Sequence, residues 1–120
     1  MKLSTSIITI LQNERSKIQE VLDWTLRELN HHRELKARYV RTNAFWNFAP
    51  EEQKRIDVII ENYPHAVLRY QGIIEVFDHA IYSESITDPQ IKLLSECKVP
   101  KIVGIAYDLQ VLRSQRLTSK

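Results

Sequence analysis

Only two glycines, Gly72 and Gly104, occur among the 120 residues of this chain, and they lie far apart. Loops that bind phosphate groups need several glycines close together, because the backbone must approach the phosphate. A P-loop, a dinucleotide-binding Rossmann site and a glycine-rich kinase loop are therefore excluded. All-β folds with many tight turns are disfavoured for the same reason. We therefore expect long secondary-structure elements that are joined by few turns.

Apolar residues recur at helical spacing through the N-terminal third of the chain. One face of the predicted helix carries Ile7, Leu11, Ile18, Leu22, Thr25 and Leu29. Ser4 or Ser6 is a suitable N-cap, and Asn43 is a suitable stop. We predict a helix over residues 5–41. Its apolar face ends at Leu29, because the next residues on that face are polar, so we expect burial to stop near there.

A second apolar pattern alternates spacings of three and four residues and runs across a proline. Its members are Ile56, Ile59, Ile60, Tyr63, Val67, Tyr70, Ile74, Phe77 and Ile81. Pro64 lies inside the pattern, and a proline within a helix removes a hydrogen bond and kinks or ends the helix. The sequence predicts either one Pro-kinked central helix over residues 51–83, or two helices, 51–63 and 64–83, with aligned apolar faces.

Two shorter helices are predicted in the C-terminal third. Thr87 or Asp88 is a suitable N-cap for the first, over residues 89–97, with Pro89 at the first helical position. The second covers residues 100–116. Its apolar face carries Ile102, Ile105, Ala106, Leu109 and Leu112.

These patterns together indicate an all-α fold, a four- to five-helix bundle with a long N-terminal helix and a Pro-kinked central helix. We predict a single helical domain over residues 1–120. No apolar run approaches the roughly 20 residues that span a bilayer, so we expect no membrane contact. Cys97 is the only cysteine, which fits a reducing compartment, and we expect a cytoplasmic protein.

Charge is unevenly distributed along the chain, whose net charge is +2. Residues 1–44 carry eight basic and five acidic residues, net +3. Residues 45–86 carry three and seven, net −4, and residues 87–120 carry six and three, net +3. A total of +2 is too small to indicate nucleic-acid binding by itself. An acidic middle between basic ends suits complementary helices or a charge-paired dimer.

Metal sites and nucleophilic centres have little support in the sequence. Glu28 and His31 form a Glu-x-x-His pair, the spacing of di-iron carboxylate bundles, but that site needs a second such pair and none exists. Zinc needs three or four ligands, and Cys97 has no cysteine neighbour. No serine or threonine lies in a glycine-flanked elbow. We therefore expect no metal, no cofactor and no catalytic residue.

Arg27 and His32 are separated by four residues. This spacing resembles the Arg-x4–6-His motif of the HEPN-type ribonucleases, which are also all-α proteins. The resemblance implies that an Arg27 and a His32 from two subunits would act together on an RNA backbone. It covers these two positions only, and Glu28 stands where the family usually has a polar amide, an aspartate or a histidine. A small HEPN-like ribonuclease is thus one alternative function.

The segment 93–109, "LLSECKVPKIVGIAYDL", has the layout of a helix-turn-helix unit. Its second helix would offer Lys101 to DNA. Asp108 lies two turns further along that helix and would face phosphate repulsion, and Lys98 stands where such turns favour glycine. The alternative is a short helix that packs on the bundle and is joined by a proline turn.

Cations and aromatic residues gather in "HHRELKARYVRTNAFWNF", residues 31–48. Cations in the last turn of a helix are favoured by the helix dipole. We expect Phe45, Trp46 and Phe48 to fold back over the end of the bundle. The residues predicted to bind a partner or nucleic acid are His32, Arg33, Lys36, Arg38, Arg41 and Trp46.

The sequence predicts a non-enzymatic helical protein that binds or regulates other proteins and acts as a homodimer. The first helix would be about 50 Å long, which exceeds what a 120-residue globule with a radius of gyration near 14 Å can cover. A second copy or a protein partner would cover the remainder. The alternatives are a nucleic-acid-binding protein, which would use the basic end of the first helix and residues 93–109, and the small ribonuclease.

Overall fold

The computed structural model describes residues 1–118, with the side chains of residues 1–115. Within that part of the chain four α-helices follow one another, and no strand occurs. The helices are α1 (Thr5–Arg41), α2 (Pro50–Ser83), α3 (Asp88–Ser95) and α4 (Pro100–Thr118), with a short 3-10 helix at Phe45–Asn47. The prediction of an all-α helical bundle with a long N-terminal helix is confirmed.

α1 begins at a cap and ends at a stop that the sequence had indicated. The backbone N–H of Ile7 donates to Ser4 Oγ at 3.3 Å, so Ser4 caps the helix. Asn43 has a φ of 60°, the left-handed conformation that often follows the last turn of a helix and that asparagine tolerates. Its N–H donates back to the carbonyl of Val40 at 3.1 Å.

α2 is a single helix that continues through Pro64, so the structure has one central helix and not two; that Pro64 kinks it stays a prediction. Proline has no N–H, and the carbonyl of Ile60 therefore lacks its usual donor four residues on. The helix begins at Pro50, where a missing N–H costs little. The amides of Glu52 and Gln53 both donate to the carbonyl oxygen of Ala49, which fixes the first turn.

A capping box starts α3. The N–H of Gln90 donates to Thr87 Oγ1 at 3.4 Å, and the N–H of Thr87 donates to Gln90 Oε1 at 2.9 Å. Thr87 is therefore the N-cap. The helix ends at Ser95, two residues earlier than predicted, and Cys97 is buried outside it. Lys98, with a φ of 63°, turns the chain into α4.

The chain divides into two compact units. The four-helix unit comprises Met1–Ile18 and Gly72–Lys120, and the hairpin unit comprises Gln19–Gln71. α1 and α2 each contribute a segment to both units. That the whole chain forms one domain stays a prediction.

The four-helix unit has a broad core, to which all four helices contribute. α2 buries Ile73, Ile74, Val76, Phe77 and Ala80, which span an arc of about 160°, nearly half of its circumference. α1 contacts it through the Arg15–Asp78 ion pair at 2.6 Å, and α3 packs against α4.

A short β-bridge closes one end of the four-helix unit. The N–H of Leu3 donates to the carbonyl of Glu84 at 2.8 Å, and the N–H of Ile86 donates to the carbonyl of Met1 at 2.9 Å. Leu3 and Ile86 are both buried. The bridge therefore fixes the segment before α1 against the connection between α2 and α3.

The hairpin unit is narrower, because it consists of two antiparallel helical segments and the turn between them. Contacts of Trp24 with Tyr63 and of Lys36 with Asp57 align the two segments. The buried residues are Leu22, Thr25, Leu29, His32, Phe45, Ile56 and Val67. The prediction that burial stops at Leu29 is wrong. His32 is buried because α2 lies beside α1 at least as far as Lys36.

Candidate interaction surfaces

Three of the predicted binding residues form an exposed basic surface at the end of α1. Arg33, Arg38 and Arg41 are exposed and make no ion pair or hydrogen bond through their side chains in the described part of the chain. Arg38 and Arg41 lie one turn apart in the last turns of the helix. These three guanidinium groups are therefore available to an anionic partner.

Lys36 differs from its neighbours, because its charge is already paired. Its Nζ donates to Asp57 Oδ1 at 2.5 Å and lies 5.1 Å from the centre of the Phe45 ring. The ammonium group thus joins α1 to α2 within the hairpin unit. Its role in the structure is to hold the two segments together.

His32 is inside the hairpin unit, with only 4% of its surface exposed. Its Nδ1 lies 2.7 Å from the carbonyl oxygen of Glu28. A carbonyl only accepts, so Nδ1 carries a proton and donates. This buried position places His32 in the packing of the unit, away from the exposed cations, and gives no support to the ribonuclease resemblance with Arg27.

The aromatic residues after α1 separate into a buried and an exposed group. Phe45 is fully buried and packs edge-on against Phe48, which in turn packs against Tyr39. Trp46 contacts the Phe45 ring but remains 62% exposed. The prediction that these residues fold back is correct for Phe45, whereas Trp46 presents most of its ring to solvent.

Lys101, the residue that the helix-turn-helix layout would offer to DNA, has a partner inside the four-helix unit. Lys101 Nζ lies 3.0 Å from Glu14 Oε1, and Lys17 Nζ donates to the same oxygen at 3.2 Å. Glu14 is 7% exposed. Its carboxylate, on the buried face of α1, was not identified from the sequence, although position 14 lies four residues before Ile18 on the predicted apolar face.

Glu14 gives the four-helix unit a pH-dependent interaction. Burial alone would raise the pKa of the carboxyl, but hydrogen bonds from Lys101 and Lys17 outweigh it and hold the pKa below its ordinary value of 4.5. A group whose pKa is lower in the folded state stabilises that state above the unfolded pKa, and this stabilisation is lost as pH falls through the folded value.

We expect Glu14→Gln to lower the free energy of unfolding by about 1–2 kcal/mol at neutral pH. Hydrogen bonds to charged groups contribute about 1.5–3 kcal/mol, and solvent reduces this because the side chains of Lys17 and Lys101 are mostly exposed. The difference between wild type and variant should stay constant down to about the ordinary pKa of a glutamate and shrink at lower pH. Urea unfolding at a series of pH values measures it. Glu20→Gln, at an exposed position of α1, is the control and should leave the free energy of unfolding at neutral pH nearly unchanged, as is usual at the surface.

The structure also exposes an apolar surface that the sequence reasoning missed. We define the α4 face as Pro100, Gly104, Tyr107 and Val111, which lie opposite the buried residues Ile102, Ala106 and Leu109. Tyr107 is 65% exposed and Val111 is exposed as well. No charged residue belongs to this face. The signal in the sequence was the 4-3-4 spacing of uncharged residues, which is the same spacing that identified the buried faces.

A cleft of about 60 Å³ lies beside the α4 face in the four-helix unit. Its lining is apolar except for one carboxylate and includes Ile7, Ile10, Ile105, Asp108 and Leu112. Ile105 and Leu112 were predicted to be core residues, but Ile105 is only partly buried and Leu112 is exposed. The last turns of α4 therefore present apolar side chains on two adjoining surfaces.

No group of three or more histidine, cysteine, aspartate or glutamate side chains within residues 1–115 is placed to hold a metal ion. Of the helices described, none has both the length and the apolar character needed to cross a membrane. Comparison with protein-family models, with curated proteins and with solved structures found no match to this chain.

Proposed function

We propose that this protein is a non-enzymatic helical interaction protein that acts as a homodimer and uses the α4 face as its contact surface. The observation that supports this most is the exposure of Tyr107 and Val111 on a helix face without charge. Exposed apolar patches often mark protein interaction sites. Tyrosine is also enriched, and charge depleted, at the centre of such interfaces.

Gly104 gives the proposal a second support. A glycine inside a helix costs about 0.5–1 kcal/mol relative to alanine. A Cβ added at Gly104 would meet no atom within 4 Å, so packing within the four-helix unit does not require a glycine at this position. A residue without a side chain does allow the backbone of another molecule to approach closely.

Sedimentation over the micromolar range tests the homodimer. We expect the wild type to show a concentration-dependent dimer and the double variant Tyr107→Asp/Val111→Asp to remain monomeric. Leu68→Asp is the matched control, because Leu68 is also an exposed apolar residue of a helix, in the hairpin unit. That variant should dimerise like the wild type. A wild type that stays monomeric at every concentration contradicts the proposal.

A second candidate function is nucleic-acid binding, which the unpaired guanidinium groups of Arg33, Arg38 and Arg41 and the exposed ring of Trp46 favour. Arginines contact phosphates, and an exposed aromatic ring stacks on bases. Fluorescence anisotropy with labelled single-stranded RNA at low salt tests it. The triple variant in which these arginines are alanine should lose binding, whereas Arg15→Ala, which removes a paired cation, should not. Equal binding by the two excludes this surface.

The proposed location is the cytoplasm. The single cysteine is a buried free thiol, a state that suits a reducing compartment.

A further inference from the structure

We infer that two copies of this chain pair through α4 in antiparallel orientation, about a two-fold axis level with Gly104 and Ile105. The inference rests on the homodimer proposed above and adds the orientation and the register of the contact. Three features of α4 support it. Gly104 leaves a gap in the helix surface, and the ring of Tyr107 is exposed about one turn away. Lys101 and Asp108 place opposite charges along one edge of the helix.

The first two features make the α4 face complementary to itself. Helical geometry places Pro100, Gly104, Tyr107 and Val111 within an arc of about 60°. Gly104 has no side chain and so leaves a gap on this face between Pro100 and Tyr107, which we call the notch; a Cβ added there would find open space. The Tyr107 ring, 65% exposed, projects about one turn further along.

A two-fold axis between Gly104 and Ile105 places Tyr107 level with position 102 of the second copy. On the contacting face of the second copy, position 102 lies between Pro100 and Gly104. The Tyr107 ring of each copy therefore packs into the gap beside Gly104 of the other copy, as a knob in a hole. In a two-fold contact the same surface serves both copies, so this fit occurs twice.

The charges select the antiparallel orientation. Lys101 and Asp108 are two turns apart and share one edge of the face, about 20° from each other around the helix. The same axis brings Lys101 of each copy level with Asp108 of the other, so the charges are paired twice. A parallel two-fold contact would instead place this edge of the two copies on opposite sides of the contact, so that neither charge would be paired.

Asp108 is free for this pairing, whereas the ammonium group of Lys101 already contacts Glu14. An ammonium group carries three N–H donors, and the side chain of Lys101 is 62% exposed, so Lys101 would bridge Glu14 and Asp108 of the second copy. Asp108 is exposed and makes no ion pair within the described residues. Opposite charges at the rim of an interface set its orientation and register more than its affinity. In the inferred dimer, the carboxylate of Asp108 at the edge of the apolar cleft is thus paired with Lys101 of the second copy.

The expected dimer is weak. About ten residues of each α4, residues 100–109, overlap, a length of about 15 Å, and Val111 borders this overlap. Such a contact lies at the small end of the known range, where complexes are transient. Dimerisation is therefore expected in the upper part of the micromolar range.

Disulfide trapping tests the register. The wild type is a suitable background, because the thiol of Cys97 is buried. In the inferred dimer the two copies of residue 104 are offset by about 1.5 Å along the helices, but the two copies of residue 111 by about 20 Å. A disulfide requires Cα atoms within about 7 Å of each other. Gly104→Cys should therefore cross-link rapidly under mild oxidation, and Val111→Cys, on the same face, should not.

A pair of glycine substitutions provides an independent readout. Gly72 and Gly104 are both helical, and an added Cβ would be free of contacts at either site. Alanine should raise the melting temperature at both positions, because it is the better helix former. Only Gly104→Ala should also weaken dimerisation, by about tenfold, which corresponds to about 1.4 kcal/mol, because it fills the notch.

The outcomes separate this inference from the proposed function. A wild type that never dimerises overturns both. A dimeric wild type in which Val111→Cys cross-links and Gly104→Cys does not overturns the register but leaves the homodimer intact. A dimer that cross-links at neither position, and that Gly104→Ala does not weaken, overturns the α4 contact. Cross-linking at residue 104 alone, with selective weakening by Gly104→Ala, supports the inference.

Discussion

We expect the replacement of Phe45 by alanine to lower the free energy of unfolding by about 3–5 kcal/mol, as is usual for the loss of a buried phenylalanine. Phe45 is only 1% exposed. Its ring packs edge-on against Phe48 and lies under the ammonium group of Lys36. Truncation would leave a cavity and would also remove the ring against which the ammonium group of Lys36 packs. Urea unfolding followed by circular dichroism measures the change.

The neighbouring residue provides the control for this prediction. Trp46 is larger than Phe45 but mostly exposed, so Trp46→Ala should change the free energy of unfolding by about 0.5 kcal/mol or less, as is usual at the surface. If the two alanine variants lose similar stability, the separation of a buried and an exposed aromatic residue in this turn is incorrect.

The second large predicted effect is an increase in stability. Pro64→Ala should raise the free energy of unfolding by about 1–3 kcal/mol, because proline inside a helix is about 3 kcal/mol less favourable than alanine. Alanine restores an N–H that can donate to the carbonyl of Ile60. Part of the gain is offset, because proline also restricts the unfolded chain. Thermal and urea unfolding together measure the net change.

Pro50 is the matched control for Pro64. It occupies the first position of the same helix, where an N–H would have no helical acceptor, so Pro50→Ala should have little effect. A Pro64→Ala variant that is no more stable than the wild type would mean that packing within the hairpin unit holds the proline-compatible geometry of α2.

The helices were predictable because local signals and apolar spacing agreed. Asn43 is the stop that was expected, and Ser4 and Thr87 are each one of the two caps that the sequence offered. The continuity of α2 through Pro64 was one of two arrangements that the sequence left open. The apolar phase was preserved across the proline, but one helix and two helices with aligned faces share that pattern, so the sequence did not choose between them.

Burial was predicted less well, because it depends on which elements pack beside a residue. Glu14 and His32 lie on the buried face of α1, but their polarity argued against burial in a single sequence. Each is satisfied by a hydrogen-bonding partner, Lys101 for Glu14 and the carbonyl of Glu28 for His32. Residue type alone does not show that such a partner will be present.

The predicted site was a run of cations in the sequence, and the structure gives its members different surroundings. Lys36 is paired across the hairpin unit, and His32 is buried, whereas Arg33, Arg38 and Arg41 stay exposed. The α4 face was missed because its residues were considered only as the far side of an amphipathic helix. Its lack of charge becomes meaningful only once Tyr107 is known to be exposed.

α2 is one continuous helix, but its two halves differ in how many packing contacts must be broken before the helix unfolds locally. Residues 73–80 lie in the broad core of the four-helix unit, whereas residues 56–67 are buried along a narrow seam beside one other segment. Local opening costs least where few apolar contacts must be broken. Amide hydrogens within a single uninterrupted helix should therefore exchange with solvent at markedly different rates, slowly after Gly72 and faster before it, so that the protection boundary falls inside the helix and not at its end.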